Sequence, residues 1–599
     1  MKERGGGDWM RHEGRWLDAC LLTVVLLVAA APMLRLFWAA LFRAAGLDLE
    51  ALADTLTSRA AVIATWHTIE VGVLSAMAAT LLGAAVAVVL ATSDVRAKRT
   101  VALVFVGSLL VAPQVMALAF KTLAGPASPL LGLLGMSPTP GAANPMLGKW
   151  GIVGVLTLHH APLAAVTIAG GLRAIPQSLI DAAILDGASS SRTLRAVVLP
   201  LIRPHLIAAA VLTFVAGAGN FGIPALLGIQ SGYLTLPTLI YRQLSSFGPS
   251  ILPDVAGLSV LAGLVAASGI AVAAVMRAGE AAKLPIEERF RPFWKLGRSR
   301  ILVEAALAAL LFGAAIVPLL SLLATALVPA MGVPLSSSTV TLAKFHEVLA
   351  VQAVTIRSFR NSLLYAATAA LVVTILGALL AHIMERRMTR GRETLGFVIQ
   401  LPYALPGIAL GIACILLLLR PLPLLNVSLY GTPAIILFAY VARFQAVALE
   451  PIRAAMTALD RDQEEAAAVD GATLGQRLYH IVLPALLPSM AAAALLVFLM
   501  AFNELTVSAL LWSAGTETLG VALLSLEDAG LAGEAAAVAV LTVGMVAALM
   551  LAFDRLARFA PDGIVPWVTL AGHPSAPSHI KSGRPDSPRR AVISASREC

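Results

Sequence analysis

Two polar islands with matched spacing stand out in a chain that is otherwise mostly apolar. Residues 181–204 read DAAILDGASSSRTLRAVVLPLIRP, and residues 465–488 read EAAAVDGATLGQRLYHIVLPALLP. Without a gap, Asp181 meets Glu465, Asp186 meets Asp470, Gly187 meets Gly471, Leu199-Pro200 meets Leu483-Pro484 and Pro204 meets Pro488. A gapless repeat of acids, turn glycines and prolines is read as a surface that docks a partner, against the plainer reading of an ordinary loop with helix caps. The chain holds no nucleophile motif and no His/Asp/Glu spacing suited to a metal. Cys20, Cys414 and Cys599 lie far apart, so neither a disulfide framework nor a metal site is expected, and no catalytic residue is assigned.

A second set of chemically active groups lies inside apolar runs. An ionisable residue there is a functional candidate, because burying it uncompensated costs several kcal/mol. Glu504 in FNELTVSALL and Glu70 in HTIEVGVL are the clearest. In the register of the islands, Glu504 falls opposite Asn220 in GNFGIPALLG, and Phe498 opposite Phe214. Asn220 and Glu504 are therefore functional candidates, with Glu70 a weaker third. The alternative is that they only hold helices together by hydrogen bonds. His159, His160 and His205 read as structural.

The elements that must position these groups are membrane helices. The chain is 59% hydrophobic and 13% charged, where a soluble domain carries about 25% charged residues. A bilayer core of roughly 30 Å takes about 20 apolar residues per helix. Candidate spans are 17–42, 67–92, 100–124, 151–172, 205–228 and 252–277, then 301–329, 361–384, 395–419, 430–449, 489–512 and 533–556. The first of these is read as a retained span rather than a cleaved signal.

Lys and Arg cluster in alternate loops, at Arg96, Lys98 and Arg99, at Arg173, Arg192 and Arg195, at Arg386, Arg387 and Arg390, and at Arg453, Arg461 and Arg477. The positive-inside rule then puts both islands and both termini in the cytoplasm. The formal charge of +9 is topological, not a nucleic-acid footprint.

Six spans on each side of the linker make the halves parallel repeats. Span 2 resembles span 8, with Gly83 matching Gly377, and both glycines read as helix-packing positions. The register shifts from 294 there to 284 at the islands, which places about ten extra residues in the first half, in the outer loop 125–150. Each island reads as helix, turn, helix. Gly187 and Gly471 sit where a left-handed C-cap ends the first helix. Thr473 with Gln476 forms a capping box that Ser189 and Arg192 match only in half. Leu199-Pro200 and Leu483-Pro484 are expected to end the second helix. The tail 558–599 is read as disordered.

The order acidic-Ala-Ala, Gly, Leu-Pro resembles the EAA loop of permease subunits of bacterial ATP-binding-cassette importers, with Asp181 a mild departure from Glu. The resemblance covers roughly residues 60–280 and 355–556. It implies an all-α polytopic type I importer permease of about 12 transmembrane helices, in the bacterial inner membrane. Residues 1–60 hold the N-terminal segment, first span and outer loop. A first permease domain spans 61–280 with its coupling loop at 173–204, followed by a linker at 281–300. Residues 301–354 hold the next span and loop, and a second permease domain spans 355–557 with its coupling loop at 452–488.

By position, the coupling elements implied are Asp181, Ala182, Ala183, Gly187, Leu199 and Pro200, with Glu465, Ala466, Ala467, Gly471, Leu483 and Pro484. The alanines would permit close approach, the acid would pair with a base or cap on the partner, and the glycine would set the turn. The implied partners are two ATPase subunits, which would bind the ATP, a periplasmic substrate-binding protein, and membrane lipid. No G-x-x-x-x-G-K-[ST] pattern occurs, so the chain is not expected to hydrolyse ATP itself and binds no cofactor of its own. NFGIPALLG with TLPTLIY, and NELTVSALL with TETLG, most resemble iron(III)-transport permeases. Thiamine, aminoethylphosphonate and polyamine permeases are related. An ion-coupled carrier also shows repeats and intramembrane charges, but it has no need of paired inner docking loops.

Overall fold

The computed structural model describes residues 15–43, 46–139, 141–246, 251–277, 290–388, 391–421 and 426–556. The tail 558–599, the segment ahead of Arg15 and the linker up to residue 289 lie outside the described residues.

Among the described residues, apolar helices long enough to cross a bilayer number 10, or 12 with two bent pairs each counted once. Spans 1, 2 and 4 are Asp18–Leu41, Arg59–Thr92 and Lys149–Arg173. Span 3 is Lys98–Gly107 followed by Pro113–Ala124, and span 6 is Ile251–Arg277. Span 5 is Ser190–Leu201 joined at 63° to Arg203–Ala218. In the second half, spans 7, 8, 10 and 11 are Gly297–Ala326, Ala353–Arg387, Pro433–Ala458 and Leu474–Phe502. Span 9 is Arg392–Ala404 joined at 104° to Gly407–Leu418, and span 12 is Ala532–Leu556. Between spans 3 and 4 lie 24 residues, against 14 between spans 9 and 10, which is the ten-residue excess expected in loop 125–150.

Several expected spans are not continuous. The run 100–124 breaks at Val111-Ala112. The run 205–228 breaks after Ala218 and resumes as Gly222–Gly228. The run 489–512 breaks after Phe502 and resumes as Ser508–Leu511. Hydropathy alone does not register these breaks, because Val111-Ala112 is apolar and one or two polar residues, Asn220 or Asn503 and Glu504, scarcely lower the mean of a long apolar run. A proline supplies one cause, since Pro113 and Pro406 open the second segments of spans 3 and 9 and neither offers an N–H to the turn before it.

Lipid tails are as apolar as leucine, so spans associate through close packing of small residues. Span 2 buries Ala61, Ala64, Gly72, Ser75, Ala76, Ala79 and Gly83 on one face against spans 4 and 5, with Gly72 and Ser75 toward Phe214 and Gly217 of span 5, while Met77 and Leu81 point away. A Cβ at Gly83 would lie 2.5 Å from the Ala161 carbonyl oxygen. At Gly377, by contrast, its nearest neighbour would be the Ile452 Cδ1, at 3.3 Å.

The halves exchange their first spans. Span 1 packs on span 6 and on the Gly407–Leu418 segment of span 9, and span 7 packs on the Pro113–Ala124 segment of span 3 and on span 12. Ion pairs fasten both exchanges at the island end of the molecule. Asp18 meets Arg387 at 3.2 Å. Arg300 meets Asp94 at 3.8 Å, and the Arg96 N–H donates to Glu304 at 2.8 Å. At the other end, Thr68 and Ser362 each accept, at 2.8 Å, from the first N–H of a short helix, those of Leu236 and Leu519.

The unequal space at the two matched glycines predicts unequal substitutions. Gly83→Ala should lose about 1–3 kcal/mol through overpacking against span 4, whereas Gly377→Ala should shift stability by less than about 0.5 kcal/mol. Thermal unfolding of the detergent-purified chain checks this, and equal losses would contradict it.

Candidate coupling islands and the junction of broken spans

Both islands begin with a nine-residue helix, Gln177–Leu185 and Arg461–Val469. Each ends in the same motif. Gly187 (φ +79°) and Gly471 (φ +87°) adopt the left-handed conformation that a side chain would strain. The Ala188 N–H then donates to the Ala183 carbonyl at 2.9 Å, and that of Ala472 to Ala467 at 3.0 Å. The Gly187 and Gly471 N–H groups donate to Ile184 and Ala468 at 3.0 and 3.1 Å. These paired bonds satisfy the last carbonyls of each helix. The next helix starts at Thr473 with the full capping box, in which the Thr473 N–H donates to Gln476 Oε1 at 2.8 Å. In the first island Ser189 Oγ accepts from the Arg192 N–H at 3.4 Å, which is the expected half.

Leu199-Pro200 and Leu483-Pro484 do not end that helix. A π turn precedes each pair, Leu194–Val198 and Leu478–Val482, and the Leu199 and Leu483 N–H groups donate to Leu194 and Leu478. The wider turn takes the carbonyl four residues back out of the path of the proline ring, so the helix continues. The second copy runs unbroken to Phe502, while the first bends after Leu201.

Asp181, Ala182, Glu465 and Ala466 are exposed, and Ala183 and Ala467 are half-buried. Leu185 is 87% exposed and Val469 is 84% exposed, each just ahead of its Asp-Gly turn. This apolar tip went unassigned in the sequence reading, although the alignment already paired Leu185 with Val469.

The buried faces differ. Ile180 is fully buried in apolar surroundings, while its counterpart Glu464 meets Arg386 at 3.3 Å. Burial raises the Glu464 carboxyl above its ordinary range, with Arg386 opposing. Nearby, Glu385 accepts from Arg453 at 2.7 Å and meets Arg392 at 3.4 Å, and its carbonyl accepts from Arg461 at 2.5 Å.

Asn220 and Glu504 do equivalent work where spans 5 and 11 break. Asn220 Oδ1 accepts from the Ile223 N–H at 3.1 Å, and Glu504 Oε1 from the Val507 N–H at 3.0 Å. Each caps the short segment that follows. Both lie against span 9. A Cβ on Gly219 would sit 3.5 Å from the Pro406 Cα. Glu504 meets Arg443 of span 10 at 3.4 Å, and Arg443 Nη1 lies over Gly407, where a Cβ would approach to 2.6 Å.

The break of span 3 meets that of span 11 in turn. Gln114 Nε2 donates to the Asn503 carbonyl at 3.2 Å, and Asn503 Nδ2 donates to the Leu110 carbonyl at 3.0 Å. Breaks from both halves thus bond to one another across the repeat interface. Sequence reasoning missed Arg443, Gln114 and Asn503. Arg443 is itself a charge within an apolar run, and it aligns with His159 in the island register.

Glu70 lies apart from this junction. It pairs with Lys149 at the start of span 4 and accepts from Tyr233 Oη at 2.9 Å, and the Tyr233 ring stacks on His67 at 3.8 Å. It ties span 2 to span 4 and to the turn ahead of Leu236.

Two six-span repeats, broken helices that meet across their interface, and twin helix-turn-helix islands at one end define a polytopic transport permease. The chain belongs to the family described as binding-protein-dependent transport system inner membrane component, whose model matches residues 6–333 and 373–562. It is 27% identical over 568 residues to y4fN of Sinorhizobium fredii, named as a probable ABC transporter permease, covering 92% of this chain and 97% of that one. It is 24% identical over 428 residues to the ferric transport system permease protein FbpB of Actinobacillus pleuropneumoniae, covering 69% of this chain and 59% of the relative. It is 28% identical over 190 residues to PhnV of Salmonella paratyphi A, whose name places it in 2-aminoethylphosphonate transport, covering 32% of this chain and 70% of the relative. The protein is thus an ABC importer permease of the inner membrane, a transport subunit that crosses the bilayer many times.

Charge balance at the junction can be tested. Arg443→Met leaves Glu504 buried without its cation and should cost about 3 kcal/mol or more. Adding Glu504→Gln to it should recover most of that loss while keeping the cap on Val507. Unfolding temperatures of the single and double variants measure the recovery, and a double variant no more stable than the single would count against a coupled pair.

Proposed function

We propose that this permease carries a small solute, delivered by a periplasmic binding protein, through the junction of broken spans, driven by two separate ATPase subunits that dock on the islands. The observation that carries this reading is the pair of islands. They have the same helix, left-handed glycine and capped second helix, and each exposes an apolar residue beside an exposed acid. An exposed Leu185 or Val469 on a rigid short helix suits insertion into an apolar recess on a partner. Asp181 and Glu465 on the same helices suit pairing with a base at its rim. Asp181, Ala182, Ala183, Gly187, Leu199 and Pro200, with Glu465, Ala466, Ala467, Gly471, Leu483 and Pro484, are the coupling set on this reading. The islands and termini would face the cytoplasm. Asn220 and Glu504 would line or gate the path, and Glu70 would hold its outer end.

Iron(III) is the proposed solute. Support comes from the ferric permease relatives and from the sequence around the two span breaks. The PhnV relatives support 2-aminoethylphosphonate as the second choice.

Leu185→Asp and Val469→Asp should each weaken capture of the cognate ATPase by about tenfold, since burying a carboxylate in an apolar recess is costly. The double variant should abolish uptake. The second island has the full cap and the ion-paired back face, so the loss should be larger for Val469→Asp. Pull-down with the purified ATPase reads both effects, and unchanged capture by the double variant would sink the docking role. For the solute, proteoliposomes holding the permease, its ATPase and its binding protein should accumulate labelled ferric iron with ATP. Accumulation of 2-aminoethylphosphonate and no iron would overturn the choice.

A further inference from the structure

The linker between the halves does more than join them. Its described part, from Phe290 onward, lies across the back of the first island. The Phe293 and Trp294 N–H groups both donate to the Thr92 carbonyl, at 3.0 and 2.8 Å. The Leu296 N–H donates to Asp94 Oδ1 at 3.0 Å. The Arg291 N–H donates to Gln177 Oε1 at 2.8 Å, and Gln177 Nε2 in turn donates to Asp181 at 2.9 Å. Phe290, Phe293 and Leu296 pack on the apolar cluster that contains Ile175, Ile180 and Val198. The strand of chain from 290 to 296 therefore touches the end of span 2, the first residue of the island helix and that helix's buried face at once.

The second half has no such strap among the described residues, and its bonds show what the strap replaces. In the repeat register, Thr92 corresponds to Arg386 and Gln177 to Arg461. Arg386 Nη2 donates to the Leu459 carbonyl at 2.7 Å and Arg386 meets Glu464, while Arg461 donates to the Glu385 carbonyl. Span 8 is thus bonded directly to its island through two arginines. In the first half the same two positions carry no side chain able to bridge the gap, and the linker backbone bridges it for them. Both halves make one mechanical connection, from the end of the second span to the start of the island helix. One makes it with arginine side chains, the other with a borrowed strand.

We infer that linker residues 290–296 are a positioning element of the first coupling island, making the helix Gln177–Leu185 move as one piece with span 2. This rests on the coupling role proposed for the islands. It predicts that fusion of the halves is a requirement of the first island rather than an accident of gene order. Without the strap, Gln177 Oε1 and the Thr92 carbonyl would lose the linker N–H groups they accept from, and a motion received at Leu185 would be spent in rocking the short helix.

The test uses the full chain with its ATPase and binding protein. Arg291→Pro removes the N–H that Gln177 accepts from, while Arg291→Ala keeps it. Gln177→Leu removes the acceptor from the other side. In lipid nanodiscs, amide hydrogen exchange over 177–185 should rise about fivefold in Arg291→Pro and Gln177→Leu. Exchange over 461–469 should not change, and Arg291→Ala should match the unaltered chain. Solute transported per ATP hydrolysed should fall by a similar factor in the same two variants, with ATPase capture retained, which a purely stabilising role would not produce.

Unchanged exchange over 177–185, or equal loss of coupling in Arg291→Ala, would overturn the inference, as would raised exchange with an unchanged transport ratio. If the island does not dock an ATPase at all, Leu185→Asp leaves capture intact. That result condemns the docking reading and leaves the exchange measurement to judge the strap.

Discussion

A helix that breaks in hydrocarbon frees peptide groups that no water can reach, and the rest of this fold depends on how those groups are satisfied. Breaks fall in spans 3, 5, 9 and 11, and in spans 3, 5 and 11 a side chain or another break takes up freed groups. Asn220 and Glu504 take the N–H groups of the segments after spans 5 and 11. Asn503 takes the Leu110 carbonyl left open in span 3, and Gln114 takes the Asn503 carbonyl in return. The Gln114 and Asn503 bonds run between the halves, so the breaks of spans 3 and 11 also hold the repeat interface together. A continuous helix would have held its own bonds and left the interface to packing alone.

The halves solve equal problems with unequal chemistry, and the inequality follows depth. At the surface the islands agree down to single bonds: the same left-handed glycine, the same carbonyl partners, the same π turn ahead of the Leu-Pro pair. Beneath them they diverge. Ile180 faces an apolar cluster where Glu464 faces arginine, and His159 stands in the register position of Arg443 while Asn220 stands in that of Glu504. A buried ion pair carries a desolvation penalty that its own attraction roughly offsets. Apolar and ionic versions of one contact can therefore interchange between repeats with little change in stability, provided both partners change together.

Much of this was legible in the residues, and what was not has identifiable causes. Periodicity and loop charge revealed twelve spans and their pairing into halves, because a bilayer imposes length and composition directly. The island turn was legible because Gly187, Gly471 and the Thr473–Gln476 box are local devices whose bonds lie within a few residues. The breaks were not, since Val111-Ala112 and Phe502-Asn503 read as apolar helix with a polar residue attached. The π turns were not either, as proline before a continuing helix is resolved by backbone adjustment that leaves no residue signature. Arg443, Gln114 and Asn503 owe their significance to partners up to several hundred residues away. The linker strap is the extreme case. It acts through backbone N–H groups that any sequence other than proline would offer, so only its place in the fold reveals it.

The exchanged first spans and the strap make one mechanical system. Span 1 is fastened to span 8 through Asp18 and Arg387, and span 7 to the loop after span 2 through Arg300, Glu304, Asp94 and Arg96. Span 7 begins at Gly297, directly after the strap that holds the first island. A displacement of the first island therefore reaches the second half along a short covalent path, through residues 290–297. No such covalent path leads from the second island back to the first. Its route runs through Arg386, Arg461 and the end of span 8, and then by the Arg387–Asp18 ion pair to span 1. Both routes at the island end thus carry ion pairs, and the first adds a covalent path that the second lacks. The ion pairs on both routes weaken as salt rises or as a carboxylate takes a proton, while the covalent path does not. Loss of communication between the halves under those conditions should begin on the route through Asp18, while the route through the strap persists.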